Sequence, residues 1–176
     1  MSPEYHFQDQ FLRSAGIVAS GQTLELVRRL IPDAISAELA HPTDDKNGTD
    51  IWVYRDQRLR PISVDQKTRE LDPMVAYGSD DLALETWSNV ERRKIGWALD
   101  PTKQTDYILW YFVPTRRYVF LPFLPLRTVF AANNLAWRSQ YRSARQNTDG
   151  LYHSECLFVP QNVLWRAIHG LCNGRV

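Results

Sequence analysis

Residues 50–68 carry the pattern that most restricts the fold of this chain, two short apolar segments separated by polar residues. Ile, Val, Trp and Tyr dominate the segment 50–55 and return as Ile62 and Val64 in the segment 61–68, and residues of these types favour β-strands. The intervening Arg-Asp-Gln-Arg, residues 55–58, is typical of a turn. We therefore predict a β-hairpin that supplies two neighbouring strands of a sheet.

Two acids and a lysine lie on this hairpin. Asp50 opens the first strand, and Asp65 and Lys67 follow on the second. Because side chains alternate along a strand, Asp65, Lys67 and Ser63 are expected on one face. Asp50 joins them only in the right antiparallel register, since a slip of one residue moves the set to the opposite face. In that register the hairpin can hold a divalent metal beside a phosphate.

These residues resemble the motif of the PD-(D/E)XK nucleases, a superfamily with the restriction-endonuclease-like fold. Asp50 matches the first acid, Asp65 the second acid and Lys67 the lysine. Thr49 stands where the family has a proline, which binds no metal, and the continuation through Arg69 is similar to the hairpin motif of archaeal Holliday-junction resolvases. The resemblance covers about residues 20–70. It implies a core of the order αβββαβ and a metal-dependent nuclease activity.

The chemistry of phosphodiester hydrolysis suits this set of residues. Mg²⁺ prefers oxygen ligands and keeps several waters, so Asp50, Asp65 and the main-chain carbonyl of Gln66 are the predicted ligands. Lys67 is predicted to orient or help deprotonate the attacking water and to stabilise the developing charge. The cofactor is therefore expected to be Mg²⁺ or Mn²⁺. The alternative is a pair of exposed charged strand residues, because Asp-x-Lys is common on surface strands.

Further acids surround the predicted site in the sequence. The resemblance implies an additional catalytic acid from the preceding helix, and Glu25 has that position, although a solvated glutamate fits there equally well. Glu4 and Asp9 on a predicted first helix compete with it. Glu85 lies on an apolar strand, where a carboxylate is costly unless it is paired or bound to metal. We expect Glu85 and Ser63 to support the metal ligands without binding the metal themselves.

Four arginines are candidates for binding DNA. The net charge of +1 is only a weak indication of nucleic-acid binding, so the distribution of the charged residues is the more informative feature. Arg138, Arg142 and Arg145 have a spacing that places them on one face of a helix, and Arg69 follows the hairpin motif. A solvated helix face explains the first three equally well. Because two strands need two cuts, a nuclease of this type can also be a homodimer.

A second constellation in the sequence suits a different metal. His153 and Cys156 form one His-x-x-Cys pair, and His169 and Cys172 form another. Such spacing is compatible with a tetrahedral structural zinc. Against zinc, Cys156 precedes an apolar run and fits a core position.

The bulk properties predict one domain and a cytoplasmic location. At 176 residues we expect a single nuclease-like domain over residues 1–176. No apolar run approaches the roughly 18 residues that cross a bilayer, and the N-terminal MSPEYHFQDQ has acids where a signal peptide has lysines. We therefore expect no membrane partner, and the two cysteines are expected to remain thiols.

Hydrophobic periodicity and turn residues predict the order of the elements. Helices are predicted over 3–15, from a cap at Thr23 to a stop at Pro32, over 126–143 and over 160–171. Strands are predicted over 34–40, 50–55, 61–68, 81–87, 106–113, 117–123 and 151–159, with a loop at 41–48 and a turn at 146–150. This order predicts an α/β fold, a central mixed β-sheet flanked by helices, with strands beyond the restriction-endonuclease-like core.

The sequence thus predicts a Mg-dependent endodeoxyribonuclease that hydrolyses phosphodiester bonds by a metal-activated water. One alternative is a catalytically inactive module of the same fold that binds nucleic acid or protein, such as a regulatory or anti-defence factor of a mobile element. The presence of all three motif residues favours the enzyme, because a decayed site usually loses the lysine or an acid first. A further alternative is a structural zinc protein that binds DNA through its C-terminal segment.

Overall fold

A computed structural model describes residues 21–45, 48–148 and 150–174. The chain has an α/β fold with a five-stranded mixed sheet, a second four-stranded sheet and flanking helices. The described residues divide into two compact units: the first contains those up to Leu71 and Thr102–Pro122, and the second contains Asp72–Pro101 and those from Phe123 onwards. The single domain over 1–176 stays a prediction.

Helices and strands are mixed along the chain. The helices are α1 (Gln22–Leu30), α2 (Pro42–Asp45), α3 (Pro73–Tyr77), α4 (Phe123–Gln140) and α5 (Gln161–Cys172). The strands are β1 (Ser36–Leu39), β2 (Ile51–Tyr54), β3 (Ile62–Arg69), β4 (Asp81–Asn89), β5 (Lys94–Ile95), β6 (Tyr107–Phe112), β7 (Arg117–Pro122), β8 (Ser143–Thr148) and β9 (Tyr152–Pro160). Within the described residues no helix combines the length and apolar character needed to cross a membrane.

The first unit is built on a sheet of strand order β1-β2-β3-β6-β7. The β2–β3 pair is antiparallel, which confirms the predicted hairpin, and β3 pairs with β6 in parallel. One face of this sheet and α1 bury a common apolar core, in which Val27 of the helix and Ile31, just after it, meet Val53 and Val64 of the hairpin. Burial of these side chains supplies the main stabilisation of the unit and fixes which face of β3 remains for polar residues.

The second unit is built on an antiparallel sheet of strand order β5-β4-β9-β8. Leu82 and Leu84 alternate with less buried residues along β4, a pattern typical of a strand with one face in a core. The helices α4 and α5 pack against each other, and Leu164 and Ile168 are the buried side chains of α5. The predicted strands over 81–87 and 151–159 and the predicted last helix are confirmed to within two residues.

Two predictions in the N-terminal half were wrong. Gly21, with φ of 76°, precedes α1, and Thr23 is fully buried inside the helix, so Thr23 is no cap. The predicted loop 41–48 contains the one-turn helix α2. The stop before Pro32 is confirmed, because α1 ends at Leu30. The predicted helix 3–15, with Glu4 and Asp9, lies outside the described residues.

The predicted long helix was displaced by three residues. It begins at Phe123, because Pro125 fits in the first turn of a helix, where its missing amide is not needed. It ends at Gln140, and residues 143–148 form the edge strand β8 instead of the end of a helix and a turn. Arg142 and Arg145 therefore do not share a helix face with Arg138, which corrects that expectation.

Candidate active site on the β2–β3 hairpin

The register of the hairpin decides whether Asp50 and Asp65 can act together, and it places them side by side. Ile51 pairs with Val64 at the end of β2, and Asp50 and Asp65 are the next residues on the two strands. The Asp50 amide donates a hydrogen bond to the Val64 carbonyl at 3.0 Å, which continues the antiparallel pairing. The two carboxyl groups are close enough to share a hydrogen bond.

The Asp50 side chain is fixed by the backbone of the neighbouring strand. Its Oδ2 accepts a hydrogen bond from the Gln66 amide at 2.6 Å. A buried amide needs an acceptor. The Asp50 carboxylate, immediately before the first residue of β2, provides it. Asp50 is thus both a part of the sheet and a member of the site, and its direction toward Asp65 is set by the fold.

Lys67 lies on the same face as Asp65, as strand alternation predicted. Its Nζ is 2.6 Å from Asp65 Oδ1. The Asp65 side chain is only 6% exposed and that of Lys67 is 23% exposed, so the ammonium group is the more accessible end of the ion pair. Arg69, two residues further along the same face, ends β3 and is half-buried. The structure thus brings Asp50, Asp65 and Lys67 together.

The environment of Asp50 favours its protonated form in the absence of a cation. Burial, followed by the negative charge of Asp65, raises the pKa of Asp50 to about 7. The positive charge of Lys67 and the hydrogen bond from the Gln66 amide oppose this shift without cancelling it. A carboxyl group with a raised pKa beside a second carboxyl group is typical of a site that awaits a positive charge.

Ser63 connects the site strand to the segment before β6. Its amide and its Oγ both donate hydrogen bonds to Asp106 Oδ2, at 2.9 and 3.0 Å. Arg60 holds the other side of that carboxylate, with Nη2 2.5 Å from Asp106 Oδ1. Burial raises the pKa of Asp106, but the hydrogen bonds from Arg60 and Ser63 outweigh it and leave the pKa below its ordinary value. Ser63 therefore anchors the strand that carries Asp65.

A second lysine, Lys103, which no sequence pattern indicated, lies near Asp65. A Cβ placed on Gly48 would be 3.2 Å from Lys103 Cδ, 3.8 Å from Lys103 Nζ and 3.8 Å from Asp65 Oδ2. Lys103 and Asp65 therefore flank the same glycine. Lys103 belongs to a polar connection whose residues have no periodicity, so only the pairing of β6 with β3 reveals its place.

Gln66 points away from the acids, as predicted from its position between them. Its side-chain Nε2 donates to Thr68 Oγ1 at 2.9 Å, and its Oε1 is buried without a partner. The role of its main-chain carbonyl as a metal ligand stays a prediction. Thr49, which replaces the proline of the family motif, is 3% exposed and precedes Asp50 in the buried turn.

The two predicted glutamates have partners of their own. Glu25 of α1 forms ion pairs with Arg28 and Arg29 at 2.8 and 2.9 Å, and their hydrogen bonds lower its pKa to about 2. Glu85 belongs to β4 in the second unit, where its Oε2 accepts a hydrogen bond from the Trp97 amide at 3.1 Å. The structure does not group Glu25 with Asp50 and Asp65. The supporting role of Glu85 stays a prediction.

The predicted DNA-binding arginines of the second unit make intramolecular contacts. Arg138 Nη1 lies 2.7 Å and Arg145 Nε 3.5 Å from the carboxylate of Glu155, which also accepts a hydrogen bond from Thr86 Oγ1 at 3.0 Å. The guanidinium of Arg142 stacks 3.9 Å above the ring of Phe158. These contacts occupy part of each arginine, and their role toward DNA stays a prediction.

The zinc candidates are not gathered into one cluster. His153 and Cys156 are three positions apart on β9, which pairs with β8 without a register shift, so they face opposite sides of the sheet. The His153 Nδ1 lies 2.6 Å from Glu91 Oε1, and Cys156 is buried. His169 and Cys172 are exposed on α5. A structural zinc stays a prediction without an observed ligand cluster among the residues described.

The donor set on the hairpin suits a hard cation with few protein ligands. Across residues 21–45, 48–148 and 150–174, no three His, Cys, Asp or Glu side chains are arranged to hold a metal ion. Mg²⁺ usually keeps several waters and takes only one or two carboxylates from the protein. The adjacent oxygens of Asp50 and Asp65, with a raised pKa at Asp50, fit that requirement.

No protein-family model, no curated protein and no solved structure matches this chain. The geometry of the β2–β3 hairpin and its sequence motif are therefore the observations that bear on function.

Proposed function

We propose that the protein is a metal-dependent nuclease of the PD-(D/E)XK type that hydrolyses phosphodiester bonds of DNA. The observation that carries this proposal is the meeting of Asp50, Asp65 and Lys67 on two adjacent strands, with 2.6 Å between Lys67 Nζ and Asp65 Oδ1. The order α1, β1, β2, β3, followed by a crossover to the parallel strand β6, supports a restriction-endonuclease-like core.

Asp50 and Asp65 would hold Mg²⁺ or Mn²⁺ between their carboxylate oxygens. When bound, such a cation supplies a more acidic water and offsets negative charge on the phosphate. The chain itself contributes orientation: the Gln66 amide fixes Asp50, and Ser63 with Asp106 fixes the strand of Asp65. A preorganised site of this kind does not need to rearrange during the reaction.

Lys67 would act on the side of the site that faces the substrate. Its ammonium group carries three donors and no acceptor, so it can hold a non-bridging phosphate oxygen or the attacking water, but it cannot bind the metal. Its 23% exposure leaves the side chain accessible while Asp65 remains buried. Removal of the amine should therefore reduce the rate of cleavage more than the binding of metal.

The proposal extends to DNA as the partner, with Arg69 at the end of β3 near the backbone of the substrate. A homodimer would provide the two cuts that a duplex requires, and DNA in the cytoplasm would be its target. One observation favours the alternative of an inactive module: Asp65 is only 4% exposed, which is also typical of an ion pair that serves the sheet alone.

Plasmid cleavage tests the proposal directly. Wild type is expected to nick or linearise supercoiled DNA with Mg²⁺ or Mn²⁺ and to be inactive with EDTA. Lys67→Ala should lose at least about 100-fold in rate, because the amine acts in the transition state. Lys94→Ala, which alters an exposed lysine of β5 in the second unit, is the matched control and should retain full activity.

Calorimetry separates the enzyme from the inactive module. The enzyme should bind Mn²⁺ in wild type and in Lys67→Ala but not in Asp50→Ala. Cleavage that persists undiminished in Lys67→Ala assigns the activity to another site or to a contaminant. The inactive module should show no Mn²⁺ uptake that disappears in Asp50→Ala.

A further inference from the structure

We propose that Lys103 binds a phosphate of the nucleic-acid backbone at the β2–β3 site, as a second cation that the motif does not contain. This inference rests on the proposed nuclease function and names a substrate contact for it. The residue lies in the connection that precedes β6, far from the hairpin in sequence.

Gly48 defines where Lys103 sits. The glycine has φ of 89° and is buried at the turn before Asp50. A Cβ at this position would be 3.8 Å from both Lys103 Nζ and Asp65 Oδ2 and only 3.2 Å from Lys103 Cδ. The absence of a side chain at Gly48 therefore leaves the room in which the Lys103 stem passes the carboxylates.

Lys103 is brought to this place by specific contacts of its own segment. Thr105 Oγ1 donates to the Ser63 carbonyl at 3.3 Å, and the Asp106 amide donates to Ser63 Oγ at 3.0 Å. Both bonds tie the residues just after Lys103 to β3, two residues before Asp65. The lysine is half-buried, so part of its stem is covered while the residue retains access to solvent.

The formal charges at the site explain why a second lysine is useful. The formal charges of the two carboxylates, Asp50 and Asp65, cancel those of the two ammonium groups, Lys67 and Lys103, when all four are ionised. A divalent cation on the carboxylates leaves two positive charges in excess. A phosphodiester and a hydroxide each bring one negative charge and restore the balance. The cluster is therefore matched to a metal together with an anionic backbone.

A lysine at this position suits phosphate in preference to other ligands. An ammonium group has no lone pair for the metal, and its strong partners are anionic oxygens such as those of phosphate. Non-bridging phosphate oxygens occur at every step of a nucleic acid, so the contact adds affinity without adding sequence specificity. Lys103 is thus expected to bind the backbone, whatever sequence is cut.

The test measures DNA binding apart from cleavage. A fluorescein-labelled duplex is titrated with wild type, Lys103→Ala, Lys103→Arg and Lys94→Ala in Ca²⁺, and anisotropy is recorded at several salt concentrations. Lys103→Ala is expected to bind about 3- to 10-fold more weakly, and its salt slope should fall by about 0.9, the loss of one phosphate contact. Lys103→Arg should keep most of the affinity, and Lys94→Ala should match wild type.

Cleavage and metal binding complete the test. Lys103→Ala should cleave about 10- to 100-fold more slowly with Mg²⁺, while its Mn²⁺ affinity by calorimetry stays within about 3-fold of wild type. The thermal melt of each variant confirms that it is folded.

The outcomes separate this inference from the proposed function. If wild type cleaves DNA and Lys103→Ala cleaves and binds equally well with the same salt slope, the role of Lys103 is refuted and the nuclease proposal stands. If Lys103→Ala loses Mn²⁺ affinity in parallel with cleavage, Lys103 positions Asp65 and does not bind phosphate. A wild type that neither cleaves nor binds the duplex overturns both.

Discussion

Asp50 and Asp65 are held together by the sheet against the repulsion of their own charges. The hydrogen bond from the Gln66 amide and the charge of Lys67 stabilise the carboxylate of Asp50, yet its pKa is raised from 3.8 to about 7 by burial and by Asp65. In the metal-free protein, Asp50 is therefore a cost to folding near neutral pH. A cation at the site would remove that cost, which couples metal binding to stability.

Asp50→Asn is expected to stabilise the metal-free protein at alkaline pH. Folding raises the pKa of Asp50, so between pH 3.8 and about pH 7 the folded state binds a proton that the unfolded chain has released. The free energy of unfolding of wild type should therefore decrease as the pH rises across this range. Asn does not titrate, so the variant should not show this decrease, and its side-chain oxygen can still accept the hydrogen bond from the Gln66 amide. Urea denaturation with EDTA should show the variant more stable by on the order of 2 kcal/mol at about pH 8, and equal at about pH 4.

Two measurements control this prediction. Asp56→Asn alters an exposed carboxylate that accepts a hydrogen bond from the Arg58 amide, and it should leave the pH dependence unchanged. Mn²⁺ should raise the melting temperature of wild type but not that of Asp50→Asn. A pH dependence that persists in Asp50→Asn would assign the proton uptake to another group.

At the scale of elements, the β3–β6 junction depends on Asp106. Asp106→Ala leaves the buried Ser63 amide without its acceptor and the Ser63 hydroxyl with only the Gln104 carbonyl at 3.4 Å, and we expect a loss of about 2 kcal/mol in the free energy of unfolding. Arg60→Ala removes only the ion-pair partner of Asp106, a side chain that is 72% exposed. The loss in the free energy of unfolding should therefore stay below about 1 kcal/mol. Urea denaturation of both variants measures the difference.

The stabilisation that Asp106 provides depends on pH. Folding lowers the pKa of Asp106, so its contribution to stability is present above the ordinary pKa and is lost as the pH falls through the folded value. The difference between wild type and Asp106→Ala should therefore shrink in acid. Equal losses for Asp106→Ala and Arg60→Ala at neutral pH would show that the exposed ion pair, and not Ser63, carries the stabilisation.

Elements with a regular alternation of apolar and polar side chains were predictable from the sequence. Elements that form only through the hydrogen bonds of their backbone were not. The β2–β3 hairpin was predictable because its apolar residues fill one face, and that alternation also placed Lys67 beside Asp65. The strand β8 has the sequence SARQNT, with no apolar face to signal it. It exists because its backbone pairs with β9 at the edge of the sheet. Because the helical spacing of the arginines was the only visible pattern, Arg142 and Arg145 were wrongly assigned to the preceding helix.

The site was predictable only where its residues share the hairpin. Asp50, Asp65 and Lys67 are joined by local register, which a sequence can specify. Lys103 reaches the site through the parallel pairing of β3 with β6, a contact between distant segments that leaves no periodic signal. Glu25 had a suitable position in the sequence, but Arg28 and Arg29 on its own helix are its partners.

At the scale of the molecule, the two compact units are interleaved along the chain. The connection from β3 to β6 passes through the second unit, and the chain returns to that unit after Pro122. Asp50, Asp65, Lys67 and Lys103 nevertheless all belong to the first unit. The apolar core of α1, β2 and β3 with Leu109 of β6 also lies within it.

Metal binding is therefore expected to survive without the second unit. In a shortened chain that ends at Pro122, residues 72–101 are replaced by a flexible linker of about 15 residues, because a parallel crossover needs a dozen or more. We expect this chain to fold, since its core is its own, and to bind Mn²⁺ with an affinity within about 10-fold of the full chain. Far-UV circular dichroism and calorimetry measure the two properties, and Asp50→Asn in the shortened chain is the control.

The shortened chain also decides where the ligands come from. A folded chain that no longer binds Mn²⁺ would mean that the second unit supplies a ligand, and Glu85 is then the residue to replace by Gln in the full-length protein. A shortened chain that fails to fold would show that the sheet of the first unit depends on the second. Retained Mn²⁺ binding would confine the metal ligands to the first unit and leave Glu85 and the arginines of the second unit to be tested through DNA alone.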